Sequence, residues 1–270
     1  MDKKRTFNLF LEVFFMQDTP QKSRKCAEEL VLLSESPYDT PNPFKALSDP
    51  EGLSAVGGDL KPERLIHLYQ HGFFPWYSDP DPILWWHPLE RCTLVPEHFH
   101  ASRSLKKCIR HGEWTWRINN NFLQTIKTCS ELRAQNEGTW ISDEIIEAYS
   151  NLNRIGYAFS VEAFLNQRLA GGFYGVAMGN MFFGESMFSL LPNGSKVALW
   201  QFCQMANKLG IELIDCQVES DHLISLGAQM MSKEAFVANL QKYVTKPTSN
   251  AQLNQLASQN RTHLIEFKTD

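Results

Sequence analysis

The sequence is short of the features that announce several common classes. Its six cysteines, Cys26, Cys92, Cys108, Cys129, Cys203 and Cys216, include no C-x-x-C pair to complete a zinc-finger pattern. That excludes a disulfide framework or a zinc module and leaves reduced thiols in a cytosolic protein as the expectation. No metal ligand set is expected. Long apolar runs are also missing. Phe7 to Met16 follows Lys3-Lys4-Arg5, but Asn8 and Glu12 interrupt it, and Gln17-Asp18-Thr19-Pro20 follows where a cleavage site would stand. Export is therefore not expected, and no stretch reaches the ~20 apolar residues of a membrane span. Nor is there an excess of positive charge. With 26 Lys and Arg against 30 Asp and Glu, the net charge is −4. Any polyanion contact must come from a local patch.

What is present is a large apolar content. The chain has 270 residues, 43% hydrophobic and 12% aromatic, enough for a real core in one or two domains. Residues 1–40 read as an extension, broken at Ser34-Glu35-Ser36-Pro37. A small unit over 41–90 follows. Pro62 suits a first helical position, Gly72 a stop, and an aromatic, proline-rich loop runs from Phe73 to Pro88. Residues 91–245 form the larger unit. Helices are expected over Ser102 to Arg110, Asn121 to Cys129, and from the cap Ser142 to Gly156. Three strands follow, Tyr157–Phe164, Arg168–Ala177 and Met181–Phe188, separated by turns at Asn166-Gln167 and Gly179-Asn180. A helix over Ser195 to Lys208, a strand over Ile211–Val218 and a last helix after Ser232 complete it. The tail over 246–270 is polar, Gln/Asn-rich and expected to be loose. The order is α+β, with helices over a mostly antiparallel sheet, and suits an acetyltransferase-like (GNAT-type) domain.

Several groups offer chemistry, each with a plainer alternative. In the strand Ile211-Glu212-Leu213-Ile214-Asp215-Cys216-Gln217-Val218, period-two alternation puts Asp215 and Gln217 on one face, about 7 Å apart. An acid in an apolar strand is costly unless paired or hydrogen-bonded, so Asp215 is either catalytic or a structural aspartate capping a turn or meeting an arginine. Glu185 sits among Phe182, Phe183, Met187 and Phe188. It either meets a cation or has a raised pKa. Arg103, Lys106, Lys107 and Arg110 recur at helical spacing, as a phosphate track or a solvated face. Trp76, Trp85 and Trp86 suit base stacking or simple packing.

These residues also carry a resemblance. Ala55-Val56-Gly57-Gly58-Asp59-Leu60, Gly72-Phe73-Phe74-Pro75-Trp76-Tyr77-Ser78, Gly138-Thr139-Trp140-Ile141, Gly171-Gly172-Phe173-Tyr174-Gly175, Phe183-Gly184-Glu185-Ser186-Met187-Phe188-Ser189 and Leu213-Ile214-Asp215-Cys216-Gln217-Val218 stand in order. Together they resemble leucyl/phenylalanyl-tRNA–protein transferases over about residues 41 to 240. The resemblance implies transfer of Leu, Phe and, less well, Met from aminoacyl-tRNA to proteins beginning with Arg or Lys, marking them for degradation. It implies a cytoplasmic monomer, no membrane partner and no cofactor. It places Asp215 and Gln217 at the reaction centre and Glu185 beside them. Phe173, Phe182, Leu199, Phe202 and Ile214 match the apolar pocket for the transferred side chain. Trp76, Trp140, Tyr69 and Tyr149 match aromatics around the 3′-terminal adenosine. Arg103, Lys106, Lys107 and Arg110 match the cluster under the acceptor stem.

Strict alternation conflicts with part of this. It puts Ile214 opposite Asp215 and Phe182 opposite Glu185, so the strands must bulge or end there, with Gly184 as the expected point. The chain also departs from the family pattern. His87-Pro88-Leu89-Glu90-Arg91 replaces the usual Ser-Pro-Asp-Pro-Arg, and Leu190, Ser220 and His111 replace an arginine, an asparagine and a basic residue. The reaction is aminolysis of an activated ester, which needs positioning more than a strong base. Asp215 is expected to orient the α-amine and ease its proton away, and Gln217 to polarise or position. A nucleophilic Gln217 and a proton shuttle through the tRNA's own hydroxyl stay open. The alternatives in function are a CoA-dependent N-acetyltransferase, whose Arg/Gln-x-x-Gly-x-Gly/Ala loop is not found, and a non-catalytic tRNA-binding module.

Overall fold

A computed structural model describes residues 27–135, 138–246, 248–259 and 263–265. The apolar run from Phe7 to Met16 and Cys26 lie outside the described residues. The chain divides into two compact units at Leu89/Glu90.

In the first unit, β1 (Val31–Leu33) lies parallel to β2 (Leu53–Gly57). Helix α1 (Pro62–Gln70) follows, then β3 (Phe74–Pro75) and β4 (Leu84–Trp86), and the four strands run in the order β1-β2-β4-β3. Pro62 starts α1, Leu65, Leu68 and Tyr69 are buried, and Gly72 takes φ +83° beyond its end. One expectation is corrected here and one is qualified. The expected extension before residue 41 supplies β1 to the sheet, and buried Arg64 donates to the Ser34 carbonyl at 2.8 Å. Three residues are too few to display a period, so the strand was invisible locally. The expected aromatic loop is a loop that also carries the short strands β3 and β4: Trp85 is fully buried, and its Nε1 donates to the Gly57 carbonyl at 3.0 Å.

The second unit is built on an eight-stranded sheet. In chain order it contains β5 (Glu90–Leu94), α2 (Arg103–His111), β6 (Trp114–Ile118), α3 (Phe122–Ala134) and α4 (Asp143–Arg154). The meander β7 (Ala158–Leu165), β8 (Arg168–Met178) and β9 (Met181–Ser189) follows, then α5 (Gly194–Leu209) and β10 (Leu213–Gln217). The chain continues through α6 (Asp221–Ser225), β11 (Gln229–Ser232), α7 (Lys233–Val244), α8 (Thr248–Ser258) and β12 (His263–Leu264). The spatial order is β11-β5-β10-β9-β8-β7-β6-β12, antiparallel throughout except for the β9–β10 pair. Helix α5 joins those two strands, as a parallel pair requires. Mixed α+β with mostly antiparallel sheets is thus the observed class.

Local chemistry accounts for most of these elements. Ser102, Asn121, Ser142 and Ser232 cap α2, α3, α4 and α7 with their side-chain oxygens. Asn166 and Gln167 both take positive φ, the geometry that turns β7 tightly into β8. The faces of the sheet differ. Phe173 of β8 packs on Phe202 of α5, while its neighbour Tyr174 packs on Phe122 of α3 and Tyr149 of α4. Gly194 at the start of α5 sits so close to the Ala170 carbonyl that a Cβ would not fit.

The sequence order lacked β5 and β6. Each has five residues, and β5 buries an arginine, which breaks the apolar signal. The expected loose tail is also corrected: Thr248–Ser258 is helical. Its carboxamides find carbonyls, Asn250 Nδ2 donating to Gly156 at 3.0 Å and Ala177 at 2.7 Å, and Leu253 is fully buried.

Candidate functional site

The site forms where β9 and β10 part. They pair only at Leu213↔Met181, Ile214↔Phe182 and Asp215↔Phe183. Just past these positions each strand loses register with its other neighbour. On the β8 side, Tyr174 faces Ser186 and Gly175 faces Gly184, leaving Glu185 as the extra residue. On the β5 side, Asp215 faces Thr93 and Gln217 faces Cys92, leaving Cys216 as the extra residue. Two bulges side by side re-aim the side chains that strict alternation would have separated. The expected irregularity at Gly184 is therefore present one residue on, and a second one accompanies it in β10.

Gln217 takes φ +65°, a left-handed backbone that costs a glutamine about 1–2 kcal/mol. Asp215 helps to hold it there: Gln217 N–H donates to Asp215 Oδ1 at 2.9 Å. The same carboxylate receives Arg91 Nε on Oδ1 at 2.8 Å and Nη2 on Oδ2 at 2.7 Å. Both side chains of this ion pair are fully buried, and the Phe236 ring of α7 lies 4.5 Å from the guanidinium carbon. Asp215 therefore meets an arginine, the plainer of its two sequence readings, while standing at the point where the strands part. Arg91 was not singled out, because its partner is 124 residues away. The signal was indirect: a buried acid demands a cation somewhere.

Gln217 and Glu185 meet directly. Gln217 Nε2 donates to Glu185 Oε1 at 2.7 Å, and Tyr149 Oη donates to Oε2 at 3.1 Å. An amide facing a carboxylate must present nitrogen, so Gln217 Oε1 points elsewhere. Among the described residues no donor is recorded on that oxygen. Glu185 and Gln217 keep 8% and 7% of their surface, whereas Asp215 keeps none. Tyr174 is a second residue that sequence reasoning missed. Its hydroxyl is buried without a hydrogen-bond partner, and burial, aided by the Glu185 charge, pushes it well above the usual phenol range. Beside it, Arg133 Nε donates to Ser186 Oγ at 2.9 Å, and burial pushes the Cys129 thiol up to about 12.

The five expected pocket residues form one buried cluster on the α5 face. Phe173, Phe182 and Phe202 meet with ring centroids 4.7 to 5.8 Å apart, and Leu199 and Ile214 belong to the same core. Phe182 and Ile214 are the last residues to pair before Asp215 and Phe183, so this cluster reaches the parting from below. Of the four aromatics, Tyr149 lies in the network, Trp140 is half-buried, and in the first unit Tyr69 is buried and Trp76 exposed. Trp76 meets Trp86 with ring centroids 5.8 Å apart and planes tilted by 55°. Arg103, Lys106, Lys107 and Arg110 are all exposed on α2, while Leu105 and Ile109 face the core. Of the departures, Ser220 caps α6 by accepting from Leu223 N–H at 3.2 Å, and Leu190 is exposed. Among the described residues no group of three His, Cys, Asp or Glu would hold a metal, and no helix is long and apolar enough to cross a membrane.

Comparisons with known proteins bear on this site. The family model described as leucyl/phenylalanyl-tRNA protein transferase matches residues 93–241, and the model for the N-terminal domain of such transferases matches residues 58–89. A leucyl/phenylalanyl-tRNA–protein transferase of Idiomarina loihiensis is 49% identical over 211 residues, covering 78% of this chain and 89% of that protein. One of Pseudomonas paraeruginosa is 48% identical, covering 79% and 95%. One of Pseudomonas putida is 46% identical, covering 82% and 97%. Among solved structures, a conserved Staphylococcus epidermidis protein of unknown function superposes with a TM-score of 0.37 at 9% identity, over 53% of this chain and 57% of that one. That likeness is too distant to carry an argument.

Proposed function

The chain belongs to the leucyl/phenylalanyl-tRNA protein transferase family, and from that premise we propose how its site works and on what. It is an aminoacyltransferase that moves an amino acid from aminoacyl-tRNA to a protein N-terminus. We propose Leu, Phe and, less well, Met as cargo, and acceptors beginning with Arg or Lys that are thereby marked for degradation. We propose further that it acts as a monomer, and that it works in the cytoplasm, a compartment with which the free thiols of the five described cysteines agree. The meander leading into a parallel β9–β10 pair joined by α5 supports an acetyltransferase-type larger domain.

The observation that carries the mechanism is the Gln217–Glu185 contact at the parting of β9 and β10, above the Phe173, Phe182 and Phe202 cluster. In the reaction a C–N bond forms, the ester C–O bond breaks, and the amine proton ends on the departing ribose oxygen. Leu, Phe or Met would be seated by Phe173, Phe182, Leu199, Phe202 and Ile214. Such an apolar wall discriminates by only ~1–3 kcal/mol per methylene, so some use of Met follows. Gln217 Oε1 accepts from the incoming α-amine and aims it at the carbonyl, and Glu185 attracts the acceptor's cation. Asp215, with its oxygens taken up by Arg91 and the Gln217 backbone, acts from behind Gln217 and not on the amine itself. Positioning of this kind supplies rate through effective molarity. An amide is a poor nucleophile, and Gln217 Nε2 is engaged with Glu185, which speaks against a nucleophilic role. Trp76, Trp140, Tyr69 and Tyr149 would serve the terminal adenosine, and Arg103, Lys106, Lys107 and Arg110 the acceptor stem.

Incubation with labelled Leu-tRNA or labelled acetyl-CoA and an Arg-starting peptide tests the reaction. Label should reach the peptide from Leu-tRNA alone. Transfer from acetyl-CoA, or tRNA binding without turnover, would contradict it. Phe173→Ala should flatten the preference among Leu, Phe and Val; an unchanged profile would remove Phe173 from the pocket.

A further inference from the structure

Resting on that reading, we propose that Arg91 is a positioning residue for the transfer: through Asp215 it sets the backbone of Gln217, and so the direction of the Gln217 amide. Burying an arginine and an aspartate together is expensive, and well-packed apolar residues would tie β5 to β10 as firmly. The pair therefore has to do something an apolar pair cannot. What it supplies is an anionic acceptor at a fixed point. Asp215 Oδ1 receives both Arg91 Nε and the Gln217 N–H, at 2.8 and 2.9 Å. Gln217 is the residue that needs it, because its φ of +65° is one that a glutamine does not keep unaided.

The surroundings leave the arginine little choice of direction. The fork meets the carboxylate at two points, Nε on Oδ1 and Nη2 on Oδ2, so Asp215 is held against rotation. Phe236 of α7 lies over the guanidinium. Strand β5 contributes twice, since Cys92, the next residue, is the ladder partner of Gln217 across the bulge. Without the fork of Arg91 the Asp215 carboxylate would be free to swing away. That movement releases the Gln217 N–H and, with it, the amide that meets Glu185. Arg91 touches neither substrate in this scheme; its influence passes through one carboxylate and one backbone hydrogen bond.

Single-turnover transfer of leucine to an Arg-starting peptide by the full chain tests this, with Leu-tRNA binding and thermal melting measured alongside. Arg91→Lys keeps the charge but loses the fork, and should lower the transfer rate about 10-fold with Leu-tRNA affinity within about 3-fold. In a Gln217→Ala background the same change should add no more than about 2-fold, because the residue it acts through is gone. Rate losses that multiply in the double variant would overturn the proposal, as would a wild-type rate for Arg91→Lys. Arg91→Gln with Asp215→Asn rebuilds a neutral buried pair and separates scaffold from positioning. Melting should return towards wild type while transfer stays at least about 10-fold down; recovery of both would reduce the pair to scaffold. Wild-type turnover is the control for function itself. Its absence would sink the transferase reading, whereas normal turnover with indifferent Arg91 variants sinks only the role of Arg91.

Discussion

Two buried acids on the same sheet behave in opposite ways. Glu162 in β7 accepts from Ser160 Oγ at 2.6 Å, Thr125 Oγ1 at 3.0 Å, and the Asn120 and Asn121 N–H groups at 3.2 and 3.5 Å. Glu162 itself stays in register, with Gly172 on one side and Arg117 on the other, and the β7–β8 register shift falls beyond it, after Ala163. Glu185 in β9 instead sits at a register shift and takes its donors from Gln217 and Tyr149, brought from β10 and α4. The Glu162 donors are the neutral groups of its own strand, a turn and a helix start that the carboxylate holds in place. The Glu185 donors are side chains on two separate elements, meeting where the strands part. Burial of an acid does not by itself mark a site. What marks this one is irregular backbone that brings partners from separate elements to one opening.

The contrast yields predictions of decreasing size. Glu162→Ala should leave four donors unserved and lower unfolding stability by about 3 kcal/mol or more, while folded protein keeps its transfer rate. Urea unfolding and activity of the folded fraction check this; a lost rate at unchanged stability would erase the distinction. Glu185→Gln removes the charge offered to the acceptor and keeps an acceptor oxygen. The KM for an Arg-starting peptide should rise about 10-fold, with no matching fall in melting temperature. Equal KM values for wild type and variant would contradict the acidic-rim role. Tyr174→Phe deletes a buried hydroxyl with no partner, so stability should stay level or rise by up to about 1 kcal/mol. A loss above that size would mean that the hydroxyl is bonded. The smallest effect is in pH. Burial raises Glu162 above its ordinary 4.5 against the pull of its hydrogen bonds. A raised folded pKa gives stability that is present below 4.5 and lost as pH rises through the folded value. Relative to Glu162→Gln, the wild type should therefore lose stability on going from acid to neutral pH. A difference that is flat or grows with pH would contradict the raised pKa.

Much of this arrangement was written in local sequence. The serine caps of α2 and α4 and the glycine stops of α1, α4 and α5 place those helices within a few residues, and the Asn166-Gln167 turn places the meander. Glu185, Asp215 and Gln217 stood out because polar groups in apolar strands require an explanation. What stayed hidden was carried over distance. Strands β1, β5 and β6 are defined by partners far along the chain, and Arg91 is recognised only once β5 lies against β10. The β10 bulge has no local signature either, since its positive φ falls on a glutamine and not a glycine, whereas Gly184 pointed to the bulge in β9. The helix over Thr248–Ser258 was missed for another reason: its polar side chains serve carbonyls of Gly156 and Ala177 that only the fold assembles.

The central claim is that the bulged end of the sheet positions the reacting amine through Gln217. Single-turnover transfer from Leu-tRNA to an Arg-starting peptide by Gln217→Ala addresses it most directly, with Leu-tRNA binding and melting temperature measured on the same protein. The expected result is a rate about 100-fold lower, the scale of losing one well-placed polar group, with affinity and melting close to wild type. A wild-type rate, or a loss matched by collapse of the fold, would contradict it.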